Sequence, residues 1–173
     1  MKKIICLLCA VLGVTLLFSA CGGSAKPEIA PTQAPAAAEA AYVFRAASAG
    51  NFEIRPGQDM AKVLAALGEP QSYFEAASCA FDGLDKTYTY AGFVVTTYPD
   101  GEQDFVNSVR LTDDSVTTPE GVYVGADLAA ITAAYGEPAE QTETLLRYTG
   151  GNTALTFTME NGKAVSIEYL LAE

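Results

Sequence analysis

Sixteen residues from Arg55 to Pro70, RPGQDMAKVLAALGEP, return from Tyr123 to Pro138 as YVGADLAAITAAYGEP. Gly57 and Gly125, Asp59 and Asp127, Gly68 and Gly136, and Pro70 and Pro138 all stand 68 positions apart. Four residues with special backbone or capping roles, held in one register, mark a duplicated structural unit. Whatever this chain folds into is therefore built twice. In the first repeat Met60, Val63, Leu64 and Leu67 occupy i, i+3, i+4 and i+7, one apolar stripe of a short helix. In the second, Leu128, Ile131 and Tyr135 renew the stripe, with Thr132 in the remaining slot. Asp59 and Asp127 fall at the helix starts, where a carboxylate meets the positive end of the helix dipole, so their expected role is capping and not catalysis. The glycine after each helix is expected to take a left-handed conformation, and the Glu-Pro behind it blocks continuation.

Strand-like sequence follows each helix. The segments are about 71–80, 86–98 and 105–111 in the first repeat, and about 140–148, 154–160 and 163–170 in the second. Asp82-Gly83, Asp100-Gly101 and Asn161-Gly162 separate them, and such dipeptides supply the positive φ angles of tight hairpins. Gly92 interrupts the run between Tyr88-Thr89-Tyr90 and Phe93-Val94-Val95 and reads as a bulge or bend. Phe52–Ile54 and Val122–Val124 lead into the helices as short extended pieces. The expected class is α+β: two tandem modules, each a helix followed by an antiparallel meander.

At the N-terminus, Met1-Lys2-Lys3 precedes an uncharged run from Ile4 to Ala20 of 17 residues. As a helix this run is about 26 Å long, short for a bilayer span and suited to the apolar part of a signal peptide. It ends Leu17-Phe18-Ser19-Ala20-Cys21-Gly22-Gly23, which resembles a bacterial lipobox, with Phe18 standing where leucine is usual. Cys21 is then the expected lipidation site, and each buried methylene of its acyl chains is worth about 0.8 kcal/mol. Beyond it, Pro27, Pro31 and Pro35 punctuate a stretch too poor in large apolar residues to offset chain entropy, hence a tether. The expected organisation is a signal peptide over 1–20, a tether over 21–41, a first module over 42–118 and a second over 119–173.

Composition narrows the chemistry. The sequence holds no histidine, which removes Ser-His and Cys-His catalysis and His-containing zinc sites. Ten Lys+Arg against 21 Asp+Glu give a net charge of −11, the wrong sign for a nucleic-acid partner. Loss of Lys2 and Lys3 with the signal peptide would make the exported protein still more acidic and repelled by anionic headgroups. Of the 4 cysteines, Cys6 and Cys9 leave with the signal and Cys21 is the anchor. Cys79 is left without an internal disulfide partner. It reads as a small buried hydrophobe among Ala76, Ala77, Ala80 and Phe81, with a redox or intermolecular-disulfide site as the other reading.

A Gly-led short helix ending Leu-Gly-x-Pro or Tyr-Gly-x-Pro, followed by a meander and then duplicated, resembles the beta-lactamase-inhibitor-protein-like fold. The resemblance runs from about Phe52 to Leu170. It is similar to tandem-module lipoproteins of Firmicutes, mostly without assigned function, and the single-module lipoprotein of the outer-membrane barrel-assembly machine shares the helix-end pattern. The resemblance implies one continuous, curved antiparallel sheet with the helices packed on one face. Inhibitors of that family carry disulfides within their modules, and this chain departs from them there.

Three constellations invite a functional reading. Asp100, Glu102 and Asp104 suggest a weak calcium site, but an EF-hand loop would need Gly and Glu where Phe105 and Leu111 stand, so a solvated hairpin tip is the plainer reading. No Ser, Thr or Cys has a recognisable base motif nearby, and nothing in the spacing of the carboxylates selects a glycosidase-like pair. Tyr88, Tyr90, Tyr98 and Tyr148 are candidate contacts on the sheet face that the helices leave open, with ordinary sheet packing as the alternative. The expected function is that of a lipid-anchored, non-enzymatic envelope protein that uses no cofactor. It would bind an envelope or extracellular protein or peptide and touch the membrane through its N-terminal lipid only. It would sit on the outer face of the cell membrane, or in the outer membrane of a Gram-negative cell. The alternatives are a proteinaceous inhibitor of an envelope hydrolase such as a beta-lactamase, and a weak carboxylate-dependent hydrolase.

Overall fold

The computed structural model describes residues 41–172; the signal segment, Cys21 and the tether up to residue 40 lie outside them. In chain order the elements are β1 (Phe44–Ala46), a 3-10 turn (Ala47–Ala49), β2 (Phe52–Ile54), α1 (Met60–Leu67), β3 (Ser72–Ala77), β4 (Leu84–Tyr90), β5 (Phe93–Asp100) and β6 (Gln103–Leu111). Then come α2 (Leu128–Tyr135), β7 (Glu140–Gln141), β8 (Leu145–Gly150), β9 (Thr153–Glu160) and β10 (Lys163–Leu171). The class is α+β. Eight strands form one sheet in the order β3-β4-β5-β6-β10-β9-β8-β7, and β1 pairs with β2 separately. Every pairing is antiparallel.

Both helices form where the periodicity puts them, and their ends are built alike. Asp59 accepts a hydrogen bond from Ala61 N at 2.9 Å, and Asp127 accepts one from Ala130 N at 2.9 Å, each as an N-cap that satisfies an orphan amide of the first turn. The closing glycines differ from expectation. Gly68 has φ 74° and ψ −157° and Gly136 has φ 76° and ψ −152°, so φ is positive but ψ is extended, outside the left-handed helical region. That combination is open almost only to glycine. Their amides still close the helices, donating to Leu64 O at 2.9 Å and Thr132 O at 2.8 Å.

Two expected strands are each divided. The segment 86–98 is a hairpin: β4 and β5 pair with Tyr90 opposite Phe93, turning at Ala91-Gly92. Gly92 has φ +81°, and a Cβ there would lie 2.5 Å from Ser115 Oγ. Ala-Gly is not among the usual hairpin dipeptides, so Gly92 reads as a bulge or bend and not as a full turn, although Tyr90 and Phe93 on one face break the two-residue period of a single strand. The segment 140–148 likewise breaks into β7 and β8, joined by a bond from Thr142 N to Leu145 O at 2.8 Å. Phe52–Ile54 is a strand, paired with the unexpected β1, whereas 122–124 remains outside any strand. Asn161 and Gly162 take φ 51° and 76°, as a hairpin turn with two positive φ angles requires.

Register determines where the core lies. Tyr88 and Tyr90 on β4 stand opposite Val95 and Phe93 on β5, which stand opposite Val109 and Leu111 on β6. The same layer continues through Tyr169 and Ile167 to Leu155 and Phe157, then Tyr148 and Leu146. All of these are buried, together with Phe44, Ile54, Met60, Val63 and Ile131, in a single cluster. Side chains of the opposite parity include Thr87, Thr89, Thr96 and Thr158, with Arg110 paired to Glu168, a polar face. The segment before each helix is stitched to the sheet in the same way. Gly57 N donates to Val106 O at 2.7 Å and Val106 N to Gln58 O at 2.8 Å; Gly125 N donates to Ala164 O at 2.7 Å and Ala164 N to Ala126 O at 2.8 Å. Each stitch sits beside a register shift, between Thr96 and Thr97 against β6 and between Ala164 and Ser166 on β10, where an extra residue bends the strand.

Candidate functional site

The outermost strand, β3, has one partner, β4, and all six of its residues are exposed. An edge of this kind offers a row of main-chain donors and acceptors to any extended chain. Glu75 is its one charged side chain, and the others are small or aromatic. Phe74 is 65% exposed, Tyr73 49%, Phe81 49% and Leu84 39%, and together they make most of the large apolar surface left open among the described residues. Ring contacts hold two of them: Tyr73 lies 5.1 Å from Tyr88 between centroids, and Phe81 lies 5.3 Å from Tyr98, which in turn stacks on Phe105 at 5.9 Å. Gly83 lets the hairpin end close down on β5, since a Cβ there would stand 2.9 Å from Pro99 Cβ. Beside it lies an open cleft of about 370 Å³ lined by Phe81, Asp85, Lys86, Thr87, Tyr98 and Asn107.

Charges at this end are locally matched. Lys86 Nζ donates to Asp104 Oδ2 at 2.6 Å, and this contact raises the lysine pKa. The Tyr73 hydroxyl donates to the Glu75 carboxylate, which pushes the phenol pKa up because ionisation would set two anions together.

The four candidate tyrosines do not form an exposed patch. Tyr88, Tyr90 and Tyr148 are buried on the core face at 7%, 9% and 3% exposure, and Tyr98 is half-buried between Phe81 and Phe105. Strand register puts two of them beneath the helix ends: the Tyr90 hydroxyl donates to Gly68 O at 3.3 Å and the Tyr148 hydroxyl to Gly136 O at 3.1 Å, while Tyr88 packs against Tyr73. Burial raises the pKa of all three, that of Tyr148 to about 12. Packing, the alternative reading, describes them. Asp100, Glu102 and Asp104 are not placed together as metal ligands, and Asp104 is bonded to Lys86. Among the described residues no group of three or more His, Cys, Asp or Glu is placed to hold a metal ion. Cys79 is exposed in the turn after β3 and is not a buried strand residue. The exposed quartet escaped sequence reasoning because nothing periodic marks it. A signal does exist in the comparison of repeats: glycine and bonded tyrosine are 22 residues apart in the first and 12 in the second. The surplus lies across β3, β4 and their turn.

No family model and no curated protein sequence matches the chain. Among solved structures it is similar to a cysteine-rich secretory protein from Staphylococcus aureus subsp. aureus Mu50, at 14% identity and TM-score 0.45, over 67% of this chain and 44% of that one. It is also similar to a DUF4309 family protein from Bacillus subtilis subsp. subtilis str. 168, at 16% identity and TM-score 0.42, over 66% and 79%. The chain thus spans less than half the length of the first of these.

Proposed function

We propose that this is a lipid-anchored, non-enzymatic envelope protein of the beta-lactamase-inhibitor-protein-like kind, tethered through Cys21, whose first module captures an extended peptide or protein segment at its outer strand. In this reading the chain comprises two tandem modules, each a helix plus four strands, with both helices on the core face of one shared sheet. The paired caps, stitches and tyrosine bonds that recur in both repeats support the modular reading. The observation that carries the functional reading is the exposed apolar edge: Tyr73, Phe74, Phe81 and Leu84 stand on the hairpin that the second module has in shortened form. Main-chain pairing along β3 would supply affinity, and the aromatic side chains would supply selectivity.

The test is crosslinking capture from the producing cell's envelope with the full-length protein, compared with a Phe74→Ser/Phe81→Ser variant and a Tyr90→Phe variant. The edge reading expects one partner to be lost with the double serine variant and kept with Tyr90→Phe. It also expects that partner to slow amide exchange along β3. Equal capture by all three proteins, or no protection of β3, refutes it.

A further inference from the structure

The β3 edge has two chemically different sides. Tyr73 stands opposite Tyr88 and Glu75 opposite Lys86, which puts both on the face of the sheet that carries the core, while Phe74, opposite Thr87, belongs to the polar face. On that polar face β3 flanks Phe74 with Ser72 and Ala76 only, too small to cover a ring that is 65% exposed. Charge on the other side is unbalanced. The Glu75 carboxylate accepts from the neutral Tyr73 hydroxyl, and among the described residues no lysine or arginine lies within ion-pair distance of it. Lys86, its neighbour on β4, is engaged by Asp104 at 2.6 Å. The hairpin over 72–90 adds Asp82 and Asp85 and no further lysine or arginine, in a chain of net charge −11. The opposite edge of the sheet, β7, is two residues long and offers no comparable row.

Resting on the edge reading above, we infer that the segment captured at β3 is basic and amphipathic, with a lysine or arginine opposite Glu75 and a large apolar residue opposite Phe74. A strand added beside β3 sets each of its residues on the same face as the residue it meets, with Cβ atoms about 5 Å apart. Opposite charges at that separation attract, and like charges destabilise the pair. Glu75 and Phe74 are adjacent in the chain, so the partner carries its basic and apolar residues side by side and alternates them along the strand. A second copy of this chain is a poor occupant, because two molecules of net charge −11 repel and the β3 of the copy brings no basic residue to meet Glu75. Glu75 is exposed, so its charge selects among partners more than it adds affinity.

The probes are two end-capped peptides of equal length, one alternating valine with lysine and one alternating valine with glutamate. Each carries a dye for fluorescence polarisation, and amide exchange of the full-length protein locates the bound peptide. The lysine peptide is expected to slow exchange along β3 and not along β7, to bind about fivefold more tightly than the glutamate peptide, and to lose that advantage in high salt. Glu75→Gln, whose amide oxygen still accepts from Tyr73, is expected to weaken the lysine peptide about threefold without weakening the glutamate peptide. Glu75→Lys is expected to leave the lysine peptide with no advantage. Both variants should melt with the wild type, since position 75 is exposed. Equal affinity of the two peptides at β3 overturns the choice of a basic partner and leaves the edge reading standing. Binding of neither peptide overturns it as well; an envelope protein that still protects β3 then shows the edge reading intact, and failure of both removes the two together. Protection of β3 that rises with protein concentration alone, with dimers in sedimentation, makes a second copy the occupant and overturns the inference.

Discussion

Tyr90 and Tyr148 act at the helix ends as braces that the helices cannot supply themselves. A helix leaves its last carbonyls without partners, and here a phenol rising from the sheet reaches the glycine carbonyl just past each helix. Replacing Tyr148 with Phe keeps the ring and removes the bond, and the expected loss is about 0.5–1.5 kcal/mol in urea unfolding. Gly136→Ala is expected to cost about 1–3 kcal/mol, because its φ of 76° with ψ −152° strains any residue carrying a Cβ. Tyr148 also dictates a pH dependence. Its pKa is about 12 in the folded chain against an ordinary 10.0, because burial penalises the phenolate. A phenol protonated more tightly when folded contributes its full stability below pH 10 and loses it as pH rises through about 12. Thermal melts between these limits should decline with pH, and less steeply in Tyr148→Phe.

Among the elements, the β4–β5 hairpin and the β3 edge sit at opposite extremes of constraint. At the hairpin, a methyl group on Gly92 would meet Ser115 Oγ at 2.5 Å and Val116 Cγ1 at 2.8 Å, in a backbone with φ +81°. Gly92→Ala is therefore expected to destabilise the fold by about 1–3 kcal/mol or more, with the loop 112–118 losing protection from proteolysis. At the edge, β3 has one hydrogen-bonded neighbour and no buried residue, so it lacks the contacts that suppress local opening. Amide exchange should be fastest on β3 and slowest on β6 and β10, whose residues sit at the middle of the sheet. Uniform protection across the sheet would contradict this ranking.

On the scale of the whole molecule, the two repeats share one core. β6 pairs with β10 from Ser108 to Leu111, and the buried cluster runs without a break from Tyr88 to Tyr148. The halves should therefore unfold together, with calorimetric and van't Hoff enthalpies in agreement. Ile167 stands fully buried opposite both Leu111 and Phe157. Ile167→Ala is expected to cost about 2–5 kcal/mol and to lower the single transition without splitting it. Two resolved transitions would show that the repeats are independent folding units.

The features legible in the sequence are local. A repeat of special residues, an apolar stripe of helical period, an aspartate before each helix and a glycine after it act over a few bonds: Asp59 and Asp127 cap the helices as expected, while Gly68 and Gly136 close them with positive φ but an extended ψ in place of the left-handed conformation. Even the pairing of Tyr88 and Tyr90 on one face follows from the two-residue period of a strand. Which face is covered does not follow from it. That depends on what lies across the sheet, and it sent Tyr88, Tyr90 and Tyr148 into the core while leaving Phe74 and Phe81 outside. Gly92 read as a bulge or bend and not as a full hairpin turn, because the tightness of that turn comes from Ser115 and Val116, distant in sequence. A cavity at Tyr42, Tyr135 and Tyr169 joins residues from the two ends of the described chain with a helix end between them. Long-range packing alone, which no window of sequence contains, brought them together.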